Sequence, residues 1–285
     1  MKKILLFLTL PIIISGCQTV QNITDNISKP SLSISDVRVT DFAFDEIELT
    51  YDVEVVNPNP VALQMLGYDY DFNINGNDFI KGDADKELRI ESSGASTFQI
   101  PMRLNFTELY NLFSGLKGKD EADYTLLANL NFKLPVLGET TIPLEKNGAI
   151  PMLKLPKISV SNLNVEDVNF SRANLMLNLK VDNPNGFGLL VNALSYNLNV
   201  NGRNWVDGSN KQQITINQNN SNQLSIPISV NITEISTSVI QLLNNSQEVD
   251  FNLNGSFNFG ADHPLFKDAT TTFSFDEAGE LPIIR

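Results

Sequence analysis

Hydrophobic and polar residues alternate with a period of two through most of the chain after residue 30. From Ile47 to Val55 every second residue is apolar, and charged residues or threonine lie between them. The segment from Ala173 to Val181 repeats this alternation. A period of two is typical of a β-strand with one buried face. Similar segments at 98–106, 124–134 and 139–144 predict further strands in the first half of the chain.

Two segments end in the dipeptide Asn-Gly and predict β-hairpins. Apolar positions at Tyr68, Tyr70, Phe72 and Ile74 lead into Asn75-Gly76, and a matching run leads into Asn201-Gly202. Both central residues of a type I′ turn need positive φ, which Asn and Gly adopt most readily.

One helical window interrupts each half. The first follows Thr107, a predicted N-cap, and the second follows Thr233. The apolar residues of the two windows are Leu109, Leu112, Phe113 and Leu116 in the first, and Ile235, Val239 and Leu242 in the second.

The two halves are copies of one unit, related by a shift of 126 residues. Aligned pairs include Phe44 with Phe170, Leu49 with Leu175, Tyr70 with Tyr196, Gly82 with Gly208, and Ile100-Pro101 with Ile226-Pro227. Six or seven short strands in about 120 residues indicate an antiparallel sandwich of immunoglobulin-like size. The sequence therefore predicts an all-β chain of two independently folding domains, residues 30–150 and 156–285, each with one short helix.

The first residues predict a lipoprotein signal peptide over residues 1–16. Lys2 and Lys3 precede an apolar run that is too short to cross a bilayer. The tetrapeptide Ile14-Ser15-Gly16-Cys17 resembles the lipobox of bacterial lipoproteins, in which the cysteine is acylated with chains such as palmitate. A plain secretory signal with an incidental cysteine is the alternative.

A polar tether is predicted over residues 17–29. Cys17 would hold the protein in a lipid bilayer at its start. Gln18 is not the aspartate that retains lipoproteins in the inner membrane in the familiar enterobacterial pattern, so the periplasmic face of the outer membrane is the expected location.

Composition excludes several functions. The chain has 285 residues, one Cys and one His, so a zinc cluster, a disulfide framework or a Cys/His catalytic pair cannot be built. The formal charge of −13 becomes −15 without Lys2 and Lys3, and a body this acidic is expected to repel nucleic acid. His263 is expected to be an exposed loop residue, and no catalytic residue, metal or cofactor is expected.

Three weaker patterns each have two interpretations. Asp69 and Asp71, with Asp83 and Asp85, could offer oxygen ligands to Ca²⁺, but alternating acids usually mark the wet face of a strand. The amide-rich stretch 217–223 could bind polysaccharide or could simply keep a loop polar. The remaining pair is Phe79 and Trp205, which could stack on a sugar or plug the end of a sandwich.

These motifs together resemble the type 2 late embryogenesis abundant family, also called the water-stress and hypersensitive-response domain. The elements in the first copy are Asn57-Pro58-Asn59, Tyr70, Asn75-Gly76, Phe79, Gly82 and Ile100-Pro101-Met102. Those in the second are Asn183-Pro184-Asn185, Tyr196, Asn201-Gly202, Trp205, Gly208 and Ile226-Pro227-Ile228. The resemblance implies a seven-stranded sandwich similar to fibronectin type III, an association with desiccation or other stress, and no catalytic residues.

The two Asn-Pro-Asn motifs are candidate binding loops, but a structural interpretation is favoured. Asn side chains hydrogen-bond turn backbone and Pro fixes φ, as a strand-to-loop exit requires. One departure from the repeat is Gly186, which replaces Pro60 and is expected to loosen the second turn.

The expected function is that of a non-catalytic, membrane-anchored periplasmic lipoprotein that protects or contacts other envelope components. Its partner, an envelope protein, glycan or lipid, is not identified by the sequence. The alternative is a carrier of an apolar or lipid ligand, held inside a sandwich or in a cleft between domains.

Overall fold

The computed structural model describes residues 27–135, 137–231 and 248–284. Cys17 and the second helical window therefore lie outside the described residues, and the predictions made for them stay predictions.

The described residues of each repeat lie mainly in β-strands. The first repeat contains β1 Ser31–Phe42, β2 Glu46–Val56, β3 Leu63–Ile74, β4 Asn77–Ile90, β5 Ala95–Asn105, α1 Phe106–Leu112, β6 Glu121–Leu134 and β7 Gly138–Pro151. The second contains β8 Lys157–Val168, β9 Arg172–Asn183, β10 Gly188–Val200, β11 Arg203–Asn210, β12 Ile214–Ile216, β13 Asn220–Asn231, β14 Glu248–Asp262 and β15 Thr270–Ile284.

The strands of the first repeat form two sheets, ordered β1-β2-β5 and β4-β3-β6-β7. The equivalent strands of the second repeat form one continuous sheet, ordered β11-β10-β14-β15-β8-β9-β13, with β12 beside β10. The continuity comes from a short parallel pairing of β15 with β8, at Ile283 opposite Leu163 and Ile284 opposite Asn164. The predicted fold class, two tandem all-β sandwiches, is confirmed, and this parallel pair departs from a purely antiparallel arrangement.

The strand registers reproduce the shift of 126 residues. Tyr70 lies opposite Gly82 in the first repeat, and Tyr196 lies opposite Gly208 in the second. A Cβ atom on Gly208 would lie 2.2 Å from the Tyr196 ring, so the ring covers a position that only glycine can occupy. Tyr70 was predicted to point inward but is only half-buried, whereas its counterpart Tyr196 is 7% exposed.

Both predicted Asn-Gly hairpins are present. Asn75 and Gly76 have φ of 47° and 77°, and Asn201 and Gly202 have φ of 48° and 74°. These values are those of a type I′ turn, whose twist matches that of the flanking strands.

The alternating apolar positions form the cores. Ten side chains of β2 and β9 are at most 1% exposed: Ile47, Leu49, Tyr51, Val53, Val55, Ala173, Leu175, Leu177, Leu179 and Val181. Their burial follows from the period of two, which places successive side chains on opposite faces of each strand.

The helix differs from its prediction. It begins at Phe106, and its N-cap is Asn105, whose Oδ1 accepts a hydrogen bond from the backbone N–H of Glu108 at 3.0 Å, so the predicted cap Thr107 is wrong. The helix ends at Leu112, which is 65% exposed, and a separate 3₁₀ turn carries Leu116 into the core. The predicted four-residue apolar face therefore does not exist as one helical surface.

The chain forms two compact units whose bounds differ from those of the repeats. The first unit holds residues 27–35, Val53–Phe98 and Thr125–Lys146. The second holds Asp36–Asp52, Gln99–Tyr124 and the described residues after Lys146. Independent folding of residues 30–150 and 156–285 stays a prediction.

Within the second unit, equivalent residues of the two repeats have opposite environments. Phe44 is 9% exposed and packs edge-on against Phe259 and Phe273, with ring centroids 5.9 and 5.8 Å away. Its counterpart Phe170 is 99% exposed. The repeated sequence thus places a phenylalanine in the β1–β2 turn and in the β8–β9 turn, but only Phe44 is buried among apolar side chains.

Candidate functional site

The first Asn-Pro-Asn motif begins with Asn57, which is 1% exposed at the end of β2. Its side-chain amide donates hydrogen bonds to the carbonyl oxygens of Val61 at 2.8 Å, Glu91 at 2.9 Å and Ile90 at 3.4 Å. One side chain therefore ties the exit of β2 to the loop that follows it and to the end of β4. Buried backbone carbonyls need such partners because water cannot reach them.

Asn59, the last residue of the motif, extends this network to the chain before β1. Its backbone and side-chain amides both donate to Oδ1 of Asn57 at 2.9 Å. Its own side chain then exchanges two hydrogen bonds with the backbone of Ser28, at 2.7 and 2.9 Å. Ser28 falls within the predicted tether, so the last residues of that segment are held against the first repeat.

The second motif repeats this network. Asn183 donates to the carbonyl oxygens of Phe187, Ile216 and Asn217, and Asn185 pairs with Asn183 and with the backbone of Lys154. Every partner lies 126 residues after its counterpart. Since the asparagine side chains are buried and engaged in these bonds, the arrangement favours the structural interpretation over a binding loop. The proline between them is exposed at Pro58 and half-buried at Pro184.

Gly186 does not loosen the second turn, because the same hydrogen bonds form there. A Cβ atom at this position would lie 2.5 Å from the Cβ atom of Asp120, which occupies the space. Asp120 forms an ion pair with Lys154 at 2.8 Å, and that hydrogen bond lowers the pKa of its carboxyl group. Glycine at this position thus makes room for a charged pair.

A larger ionic cluster joins β1, β2 and the turn before β15. Arg38 contacts the carboxylates of both Asp36 and Asp52, and Lys267 contacts Asp36 at 2.7 Å. The hydrogen bond from Lys267, followed by that from Arg38, lowers the pKa of Asp36. The hydrogen bond from Arg38 lowers the pKa of Asp52 and raises that of Arg38 itself.

This cluster predicts a loss of stability in acid. Since the pKa values of Asp36 and Asp52 are lowered on folding, the cluster stabilises the protein above pH about 4, and this contribution is lost as the pH falls through the folded-state values. We expect Arg38→Met to reduce the difference in unfolding free energy between pH 5 and pH 3 by about 1 kcal/mol or less, since the pairs are partly solvated. Urea unfolding at pH 5 and at pH 3 measures this difference in unfolding free energy. Arg89→Met, at an exposed pair with Glu91, is the control and should leave the difference unchanged.

His263 was expected to be exposed, and that expectation is wrong. The ring is half-buried and contacts the rings of Phe187 and Phe266, with centroids 6.1 and 5.9 Å away. Its Nδ1 accepts a hydrogen bond from the backbone N–H of Leu265. Desolvation lowers the pKa of His263, although Glu121 and Asp262 oppose this effect. No described hydroxyl group hydrogen-bonds the imidazole, so its visible role is to hold a turn.

Of the four predicted acidic residues of β3 and β4, Asp69, Asp83 and Asp85 line one open cavity and Asp71 lies outside it. Asp71 pairs with Lys81 at 3.0 Å, and Asp69 accepts a hydrogen bond from Asn129 at 2.8 Å. Asp69 faces Asp83 across the two strands. Among the described residues, no group of three or more Asp, Glu, His or Cys side chains could hold a metal ion.

The two aromatic residues differ in burial. Trp205 is 6% exposed, as expected for a plug, and offers no free ring face to a sugar. Phe79 is half-buried.

The outer surface of β10, β11, β14 and β15 carries a ladder of amides and carboxylates, which we call the amide face. Its members are Asn197, Asn199, Asn204, Asp207, Asn252, Asn254 and Asp276. They hydrogen-bond along and across strands, for example from Asn252 to Asp276 at 2.7 Å. The alternation of Asn with Leu or Val in β10 and β14 is the sequence signal for the amide face, and none of the residues 217–223 belongs to that face.

The amide-rich stretch 217–223 is used in part in a turn. The backbone N–H of Asn219 donates a hydrogen bond to the carbonyl oxygen of Asn185.

The described residues contain no helix of the length and apolar character needed to span a bilayer.

Comparison with known proteins agrees with the fold and the repeated motifs. The sequence model of the late embryogenesis abundant proteins, LEA_2, matches residues 52–148 and 178–275. The chain therefore belongs to this family and contains two copies of its domain.

Individual relatives each match a little under half of this chain. Late embryogenesis abundant protein Lea14-A of Gossypium hirsutum is 28% identical over 134 residues, which are 47% of this chain and 87% of that protein. The desiccation protectant protein Lea14 homolog of Glycine max is 28% identical over 134 residues, 47% of this chain and 86% of its own. A solution structure from Arabidopsis thaliana is 29% identical, covers 44% of this chain and 83% of that one, and has a TM-score of 0.38.

Proposed function

We propose that the protein is a non-catalytic protective protein of the bacterial cell envelope, anchored in the outer membrane by acyl chains on Cys17. The observation that carries the protective role is that both repeats match a family whose relatives are named as late embryogenesis abundant or desiccation protectant proteins. Two physical features of the chain support it.

The first feature is a strongly hydrated, anionic body. The formal charge is −13, or −15 after loss of Lys2 and Lys3, and the amide face adds a broad array of uncharged hydrogen-bonding groups. As water is withdrawn, like-charged copies repel one another, and their amides and carboxylates keep water or replace it on neighbouring surfaces. Such a body separates other macromolecules and slows their aggregation.

The second feature is the anchor. Each buried methylene of an acyl chain contributes about 0.8 kcal/mol, so two or more chains make attachment effectively permanent. An acidic body would otherwise be repelled by anionic lipid headgroups. Acylation of Cys17 would therefore hold a high local concentration of the protein at the membrane.

Anchoring is tested by Cys17→Ser. This variant is expected to leave the membrane fraction or to remain as an uncleaved precursor, whereas the wild-type protein stays with the membranes. Gln18→Asp is the matched variant, which should stay acylated and move to the inner membrane on a sucrose gradient. Recovery of mature wild-type protein as a fully soluble species would contradict the lipoprotein proposal.

Protection is tested by drying and rehydrating a labile enzyme with this protein, with an equal mass of albumin, and alone. We expect more enzyme activity to survive with this protein than with albumin, and an equal benefit from His263→Ala because no catalysis is involved. Protection no better than that of albumin would remove the support for the stress role.

A further inference from the structure

One cavity in the second compact unit is not explained by the proposed protective function. It has a volume of about 550 Å³ and is bounded by the β1–β2 turn, the start of α1, the segment after β7 and strand β15. All of its lining residues belong to the second compact unit. Cavities of roughly 300–1,000 Å³ are the usual size for binding small organic ligands.

The inner wall of this cavity is apolar and held in place. Phe44, Phe106 and Leu153 line it and are each at most 9% exposed. Phe273 lies beside Phe44 with ring planes at 79°. Tyr110 donates a hydrogen bond from its hydroxyl to the carbonyl of Leu153 at 3.0 Å, which fixes that wall. The apolar surface is therefore formed before any ligand arrives.

The apolar lining continues to the surface. Leu155, which also lines the cavity, is 62% exposed. A large aliphatic side chain beside a cavity leaves apolar area in water that a bound chain would cover.

The charged residues of the cavity lining are two lysines and one aspartate. Lys154 lines the cavity, but its charge is matched by Asp120 at 2.8 Å. Lys117 also lines the cavity and is exposed, and no carboxylate among the described residues pairs with it. Asp45 is the acidic residue of the lining. In a chain with a net charge of −13, a free lysine at the edge of an apolar cavity favours an anionic head on an apolar tail.

We propose that this cavity binds one single-chain fatty acid, with the tail against Phe44, Phe106 and Leu153 and the carboxylate at Lys117. Contact with these side chains removes apolar surface of the tail from water, and the lysine favours the ionised head. Fatty acid binding at this site does not depend on the protective function or on the anchor. A negative result for fatty acid binding therefore leaves both of those proposals standing, and the reverse also holds.

The test uses the mature polypeptide without its acylated cysteine, which keeps every described residue, and the fluorescent fatty acid cis-parinaric acid as the probe. Saturable binding of one equivalent is expected, with weaker binding of the methyl ester. Thr272→Trp places a large ring in the cavity lining from an exposed position of β15, and should weaken probe binding at least tenfold. Ser274→Trp, two residues along the same face and outside the lining, is the matched control and should bind like wild type.

The charge is tested separately. Lys117→Ala should weaken binding of the acid about three- to tenfold and leave the ester unchanged, whereas Lys119→Ala, which removes the same charge outside the lining, should have no effect. Circular dichroism checks that each variant is folded. Absence of saturable binding, equal effects of the two tryptophan variants, or displacement of the probe by phosphatidylglycerol vesicles but not by oleate would each overturn the proposal.

Discussion

Replacement of Asn183 by alanine is expected to lower the free energy of unfolding by about 3 kcal/mol. The change removes a buried amide that donates to three carbonyl oxygens, and the bonds to two of these oxygens, those of Phe187 and Ile216, are buried. It also removes the acceptor of two hydrogen bonds from Asn185. Urea unfolding followed by fluorescence measures this loss, because Trp205 is the single tryptophan and lies buried in the same repeat.

Asn204→Ala is the matched control, because it removes the same chemical group from an exposed position of the amide face. Its cost should be below about 0.5 kcal/mol. Asn57→Ala should destabilise the first repeat as Asn183→Ala destabilises the second, as measured by circular dichroism. Equal, small costs for the buried and the exposed asparagine would mean that the Asn-Pro-Asn motif is not a structural clamp.

Phe44→Ala and Phe170→Ala are expected to differ sharply although they change equivalent positions of the repeat. Phe44 is buried against two phenylalanines, and its truncation should cost about 3 kcal/mol or more. Phe170 is 99% exposed, and its truncation should cost less than about 0.5 kcal/mol. Thermal and urea unfolding of both variants provide the comparison. Similar losses would show that the two turns share one environment in solution.

The strands and hairpins could be predicted because their signals are local. The alternation from Ile47 to Val55 depends only on which face of one strand is buried, and Asn75-Gly76 defines its own turn. The repeat also predicted that the strand registers of the two halves would match, because a constant shift of 126 residues requires equivalent strands to pair in equivalent ways.

Features that depend on distant neighbours could not be predicted. Phe44 packs against Phe259 and Phe273, more than 200 positions later in the chain, whereas Phe170 is 99% exposed, and the alignment of the two repeats does not reveal this difference. His263 was expected in solvent as a loop residue, whereas Phe187 and Phe266 pack against it in the fold.

The asparagine motifs show the same limit at the candidate site. Their sequence indicates a turn, but the carbonyl partners of Asn57 include Ile90 and Glu91, 33 and 34 residues away. Gly186 was expected to loosen its turn, and only the position of Asp120 explains why glycine stands there.

The most direct test of the account is the leakage of dried membranes. Vesicles of bacterial lipids loaded with a self-quenching dye are dried and rehydrated with the acylated protein on their surface. The controls are the same total amount of the Cys17→Ser protein, albumin, or no protein. An anchored, hydrated and anionic body predicts the least dye release for the acylated protein, because the unanchored form is repelled from the anionic surface. Dye release equal to that of bare vesicles, in the presence of fully acylated protein, would contradict the account.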